Sequence, residues 1–132
     1  MQPAESSRIW LIWAGVCGAL GVAMGAFGAH LLRPILPLQR MTIFETAVRY
    51  QLFHALALLG CALLMTLYPR RAQRLHWAAW GFAAGIVLFS GSLYGLTMSD
   101  QRWLGLVTPA GGVVWIAAWG LLVAAFWGRD AA

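Results

Sequence analysis

Polar positions along this chain interrupt four long apolar segments, and they do so in clusters. The apolar segments are Ile9–Leu32, Thr46–Leu67, Leu75–Met98 and Leu104–Trp127. Each exceeds the roughly 20 residues that a helix needs to cross a bilayer. None shows the strict alternation of a barrel strand, so the expected form is helical. The pattern predicts an all-α, polytopic membrane protein, a bundle of four transmembrane helices over about residues 9–32, 46–67, 75–98 and 104–127. These segments take up most of residues 1–132, which read as a single integral membrane domain.

The connection from Arg33 to Glu45 is the longest. Pro34 and Pro37 stop the first helix from continuing. Leu38, Met41, Ile43 and Phe44 alternate with Gln39, Arg40 and Thr42, which predicts a short interfacial helix leading into the second span.

Composition agrees with a membrane domain. Hydrophobic residues make up 61% and charged residues 10% of the 132, against about 25% charged in soluble domains. The net charge of +5 comes from arginine alone, with no lysine. These arginines cap apolar segments, so the charge reads as topology and predicts no nucleic-acid partner. The first segment is longer than a secretory h-region of about 7–15 residues and lacks a clear A-x-A site, so a retained helix is expected.

Four spans put both termini on one face, with Arg8, Arg70, Arg71, Arg74 and Arg129; the other face has Arg33, Arg40, Arg49 and Arg102. The compact Arg70–Arg74 turn tips the balance toward cytoplasmic termini and a cytoplasmic connection between the second and third spans. On the termini face, Trp10, Trp13, Tyr68, Trp77, Trp80 and Trp127 are expected to form an aromatic belt.

Small residues recur along helix faces. Ala14, Gly18, Gly21, Gly25 and Gly28 share a face of the first helix, and Gly81, Gly85, Gly91 and Gly95 repeat the device in the third. Such faces let backbones approach closely in lipid, within one chain or between chains. Cys17 and Cys61 lie inside helices with no C-x-x-C spacing. They read as small apolar core residues in the half opposite the polar clusters, and a disulfide or metal pair would need their helices to touch at that depth.

The polar clusters are the candidate chemistry. They comprise His30, then Glu45, Arg49, Tyr50, Gln51 and His54, then Ser90, Ser92 and Tyr94, and finally Thr108 with Pro109, Gly111 and Gly112. Counting about 1.5 Å per residue brings all of them to the half away from the termini, with His54 roughly 10–12 Å below the boundary. Polar groups inside lipid are costly, so their convergence makes a candidate site. Each also has a structural reading. Glu45 and Arg49 suit an i,i+4 surface pair, and Arg49 can snorkel. His54 can tie helices through Tyr or Ser, and His30 can cap the first helix. Thr108–Gly112 opens the last apolar run, where glycines permit close packing against the His54 face and helix-start N–H groups suit an anion.

No cofactor is expected. His30 and His54 are suitable metal or haem ligands by type, but their estimated depths differ by about two turns, and no H-x-x-x-H or Cys-His motif supports a metal. Ser90 and Ser92 lack a G-x-S-x-G context, and no nucleophile–base–orienter set is apparent, so the chain is not expected to be an enzyme.

The segments GAFGAH (25–30), ETAVRYQLFHALAL (45–58), FSGSLY (89–94) and TPAGG (108–112), in this order, resemble a family of small bacterial inner-membrane proteins. It is known as domain of unknown function four-two-three and has small transmembrane relatives in animals. The resemblance covers about residues 12–127 and implies a four-helix integral membrane protein, without supplying an activity. Two functions stay open. One is a structural or accessory component that assembles with itself, as a homo-oligomer, or with a larger membrane complex in the lipid bilayer. The other is a binding or transport module whose polar pocket takes a lipid headgroup, a quinone or a small polar solute. Geometry discriminates them, through a His54 facing the interior near Ser90 or Ser92 and Gly111 or Gly112.

Overall fold

The computed structural model describes residues 3–128, so Arg129 of the charge count lies outside the described residues. Four helices are long and apolar enough to cross a membrane: span 1, Glu5–Leu32; span 2, Leu38–Leu67; span 3, Pro69–Ser99; and span 4, Leu104–Phe126. Large apolar side chains such as Ile12, Leu20, Leu56, Val87 and Ile116 point outward on all four, as a lipid-facing surface requires.

Spans 1 and 3 are not uniform α-helices. Span 1 is α-helical over Pro3–Phe27 and finishes in a π turn, Gly28–Leu32. Span 3 begins with a 3-10 turn, Pro69–Arg71, continues as Ala72–Gly85, widens into a π segment, Ile86–Gly91, and closes as Ser92–Ser99. Asp100 ends it with φ 58°, the left-handed conformation that Asp tolerates better than most residues. Its carboxylate pairs with Arg40, which ties the first turn of span 2 to the connection between spans 3 and 4.

The interfacial helix expected ahead of span 2 is not a separate element. Leu38–Leu67 is one unbroken helix, and its first turns are the expected segment. Pro37 sits at the N-cap with extended ψ of 148°, so the proline starts the helix, and nothing between Leu38 and Thr46 breaks it. Met41 and Phe44 are buried there with Leu32 in a small apolar cluster.

Spans 2 and 3 form the centre of the molecule. Span 1 packs chiefly on span 2 and span 4 chiefly on span 3. The main core joins Trp10, Leu58, Met65, Leu75, Phe82 and Trp115 across the four spans. Several predicted glycines are the contact points. A methyl at Gly21 would fall 2.6 Å from Leu52, at Gly28 2.7 Å from Phe44, at Gly81 2.8 Å from Ala118 and at Gly95 2.8 Å from Leu104. Gly85 lies directly under the Trp115 indole, and Gly25 is in ordinary contact with Val48. Gly18 and Gly91 do not serve in this way. Gly18 faces open space, because the span 1–span 2 crossing lies further along at Gly21–Gly28, and a methyl at Gly91 would meet only the Ile86 carbonyl, at 3.9 Å.

Of the residues expected in the termini-face belt, Trp13, Tyr68, Trp77, Trp80 and Trp127 are exposed. Trp10 departs from it. It is 2% exposed and its indole N–H donates to His76 Nδ1 at 3.0 Å, so it is a core residue. On the same face Arg71 and Arg74 donate to the carbonyls of Ala125 and Ala124, at 2.9 and 3.0 Å. They satisfy carbonyls at the end of span 4, where the helix dipole is negative.

Candidate functional site

The predicted polar residues separate into four ties at different depths. Nearest the connections, Ser92 and Thr108 hydroxyls meet at 2.6 Å, joining spans 3 and 4. Ser92 also lies 2.9 Å from the Phe89 carbonyl. Thr108 also lies 3.4 Å from the Leu104 carbonyl, so three contacts share two hydroxyl protons; the two shortest are both made when Ser92 donates to Phe89 and Thr108 to Ser92. Ser90 is fully buried and donates to the Ala47 carbonyl at 2.7 Å, joining spans 2 and 3.

Gln51 ties three spans. Its amide Nε2 donates to the Cys17 carbonyl of span 1 at 2.8 Å, and its Oε1 accepts the Tyr94 hydroxyl of span 3 at 2.8 Å. Cys17 therefore lies level with Gln51, not in the opposite half. Cys17 and Cys61 are both buried free thiols.

His54 forms the deepest tie. It is 6% exposed, so it faces the interior as expected. Its Nδ1 lies 2.8 Å from the Tyr50 carbonyl, and the Trp119 indole approaches Nε2 at 3.4 Å. A carbonyl only accepts and an indole N–H only donates, so the matching ring is neutral, with its proton on Nδ1. The ring lies flat on the Trp115 indole, with centroids 3.6 Å apart and planes 5° apart. Trp115 in turn donates to the Phe82 carbonyl at 3.1 Å. Thus one histidine holds spans 2 and 4 together through an aromatic stack that span 3 anchors.

The neighbours of His54 correct the expectation. Its hydrogen bonds and ring contacts go to Tyr50, Trp115, Trp119 and Phe82, and neither Ser90 nor Ser92 hydrogen-bonds to it among the described residues. The cause is the unbroken start of span 2. Ser90 lies nine residues from the end of its span at Ser99, and Ala47 nine from Leu38. His54 lies sixteen from Leu38, level with Trp119, fifteen from Leu104. Placing the start of span 2 near Thr46 put His54 about two turns too shallow. No motif marked Trp115 or Trp119; the signal available was their i,i+4 spacing on one face of span 4.

Other predicted members lie outside these ties. Glu45 pairs with Arg33 at 2.6 Å, across the turn, and not with Arg49. Arg33 comes within reach because the π turn closes span 1 beside the start of span 2, with Arg33 N–H bonded to the Gly28 carbonyl at 2.9 Å. Arg49 and His30 are exposed, and His30 makes no side-chain hydrogen bond among the described residues. Tyr50 is 39% exposed and joins by its carbonyl and by stacking near Trp115, with ring centroids 5.9 Å apart.

Thr108–Gly112 does not open span 4. The helix starts at Leu104, so this run lies inside it, Pro109 included, and its N–H groups are not helix-start groups. Gly111 makes the expected close approach, but to the π segment of span 3. A methyl there would lie 2.5 Å from the Phe89 backbone nitrogen. A methyl at Gly112 would have only Phe89 Cδ2 nearby, at 3.9 Å.

The interior is closed in polar terms. Among the described residues, every fully enclosed side-chain nitrogen or oxygen has a hydrogen-bond partner. No group of three or more His, Cys, Asp or Glu side chains is placed to hold a metal ion among them.

A four-span integral membrane protein with a hydrogen-bonded polar interior is what these features define. The family model described as "Protein of unknown function (DUF423)" matches residues 24–112. Relatives agree over nearly the whole chain. The "UPF0382 inner membrane protein YgdD" of Escherichia coli K12 is 43% identical over 118 residues, 89% of this chain and 88% of the relative. A "UPF0382 membrane protein" of Staphylococcus epidermidis is 40% identical, over 89% of this chain and 94% of the relative. "UPF0382 membrane protein SH2409" of Staphylococcus haemolyticus is 37% identical, over 88% and 93%. The chain belongs to the DUF423 family of small integral membrane proteins. No solved structure matches it.

Proposed function

We propose that this protein is a structural or accessory component of the bacterial inner membrane, assembling with itself or with a larger membrane complex and carrying no enzymatic chemistry of its own. The observation that carries this reading is the internal satisfaction of the polar groups. Gln51, His54, Ser90, Ser92, Tyr94 and Thr108 bond to one another, to backbone or to tryptophan. A pocket for a polar solute needs convergent groups left free for it; here they are spent on holding helices together. The inner-membrane assignment rests on the name of the Escherichia coli relative, an inner membrane protein. The cytoplasmic orientation of the termini rests on Arg70, Arg71 and Arg74 in the turn between spans 2 and 3.

An apolar groove of about 400 Å³ supports assembly. It runs between spans 1 and 2 and is lined by Ala14, Gly15, Gly18, Leu52, Ala55 and Leu59. Gly15 and Gly18 leave it open to close approach by another helix.

The test is native mass spectrometry of the protein extracted with its own lipids. The reading expects a homo-oligomer or a complex with another membrane protein. A clean monomer would overturn it. A cysteine in place of Ser90, in a background without Cys17 and Cys61, is expected to stay unlabelled by a water-soluble thiol reagent. Rapid labelling would instead favour a hydrated binding or transport pathway.

A further inference from the structure

A polar pocket of about 390 Å³ sits at the termini face, where spans 1 and 3 begin, well away from the His54 region. Ser6, Arg70, Gln73, His76 and Trp77 line it. Ser6 is 7% exposed, and its hydroxyl has no hydrogen-bond partner among the described residues. Every fully enclosed side-chain oxygen among the described residues is paired, so the Ser6 hydroxyl is one that keeps an opening. A serine buried to this extent yet unpaired offers a donor to whatever enters the pocket.

The charge of the pocket has one sign. Arg71 and Arg74 are spent on the end of span 4, whereas Arg70 makes no such bond among the described residues and lines the pocket. The nearest acid in sequence, Glu5, lines a different groove with Arg8, Ile9 and Ile12. The start of the third helix contributes the positive end of its dipole. His76 adds no free acceptor to oppose an anion, because a neutral imidazole has one acceptor nitrogen and an indole N–H lies against each ring nitrogen, Trp10 at 3.0 Å and Trp80 at 3.1 Å, so whichever nitrogen accepts is taken. Trp77 is exposed beside the pocket, the position of a belt tryptophan at headgroup level.

We propose that this pocket binds a phosphate group, with the Arg70 guanidinium as the charged donor, the Ser6 hydroxyl and the Gln73 amide as neutral donors, and Trp77 against the flanking apolar part. A lipid phosphodiester and a free phosphate share this chemistry; the depth at the membrane boundary suits either.

Binding can be read by native mass spectrometry of the full chain in detergent titrated with phosphatidylglycerol, with inorganic phosphate as a separate competitor. The wild type is expected to hold one phosphatidylglycerol per chain. Arg70→Gln is expected to bind about tenfold more weakly, the factor that one charge-assisted hydrogen bond supports. Ser6→Ala is expected to weaken binding by a smaller factor, about threefold. Both variants must melt as the wild type does; Gln73→Leu provides a third probe of the same pocket if either does not. Displacement of the lipid by millimolar phosphate would identify free phosphate as a ligand, and its persistence a lipid headgroup, both in support. Unchanged lipid binding across folded Arg70→Gln, Ser6→Ala and Gln73→Leu would overturn the site. So would a wild type that binds neither phosphatidylglycerol nor phosphate. The oligomeric state is read in the same spectra but does not bear on this outcome.

Discussion

Gly111 and Gly112 are adjacent in sequence and on the same helix, yet alanine is expected to act on them in opposite directions. A methyl at Gly111 would lie 2.5 Å from the Phe89 nitrogen and 2.9 Å from both the Leu88 carbonyl carbon and the Phe89 Cα. Comfortable carbon contacts lie at about 3.5–4.0 Å, so span 4 must retreat by roughly 1 Å. All three obstructing atoms are backbone, and no rotamer change relieves them. Retreat would also loosen the Trp115 indole on Gly85 and the Ser92–Thr108 bond, which share the same interface. Overpacking of this kind costs about 1–3 kcal/mol, and a backbone obstruction belongs at the upper end. The gain from removing a helical glycine returns about 0.5–1 kcal/mol. The net expectation for Gly111→Ala is a loss of about 2 kcal/mol. Gly112→Ala, with only Phe89 Cδ2 at 3.9 Å, keeps the gain alone and is expected to stabilise by up to about 1 kcal/mol. Equilibrium unfolding in mixed micelles, driven by sodium dodecyl sulfate, measures both. Equal effects at the two positions, or a neutral Gly111→Ala, would refute the packing of span 4 on the π segment.

The interior ties make further predictions. Tyr94→Phe and Gln51→Leu are each expected to cost about 1 kcal/mol, and the double variant less than their sum, because both remove the same hydrogen bond; strict additivity in a double-mutant cycle would deny the tie. Trp115→Ala removes the face under His54 and a bond to Phe82, and should cost about 3–5 kcal/mol, the largest loss among these variants, read by the same unfolding assay. Arg71→Gln should cost about 0.5–1 kcal/mol by releasing a carbonyl at the end of span 4, with faster amide exchange confined to that last turn. Arg49→Gln is expected to leave stability within about 0.5 kcal/mol, since Glu45 is held by Arg33; a larger loss would restore the Glu45–Arg49 pair that sequence spacing suggests.

Much of the fold was legible because the bilayer makes simple demands on a chain. A run of about 20 apolar residues has few alternatives to a spanning helix, and each of the four spans finishes within a residue of the end of its apolar run, while span 3 starts at Pro69, ahead of the expected Leu75. The start of span 2 was not legible. Leu38–Glu45 is mixed in polarity, and polarity marks the edge of lipid, not the edge of a helix; Pro37 was the true boundary. That offset of two turns carried into every depth estimate on span 2. It paired His54 with Ser90, which bonds the Ala47 carbonyl, and with Ser92, which bonds Phe89 and Thr108.

Residue types were legible where only one role suits them. Buried Gln51, His54, Ser90 and Ser92 had to find partners, because an unpaired polar group in lipid is expensive, and each did. The glycine faces announced close approach for the same reason of type. Which partners and which glycines were used depended on where helix axes cross. Gly21, Gly28, Gly81, Gly85 and Gly111 lie at crossings; Gly18 and Gly112 share their helices and do not.

The sequence by itself therefore determined the number of spans, their helical form and the need of Gln51, His54, Ser90 and Ser92 for partners inside them, since hydropathy and hydrogen-bonding capacity are properties of each segment alone. Only the tertiary structure decided that Trp115 and Trp119 enclose His54, that Arg33 rather than Arg49 holds Glu45, and that Arg70 is left facing a pocket while its neighbours cap span 4. Those outcomes turn on the rotation and offset of one helix against another, and a one-residue change in either moves a side chain by about 100° and 1.5 Å.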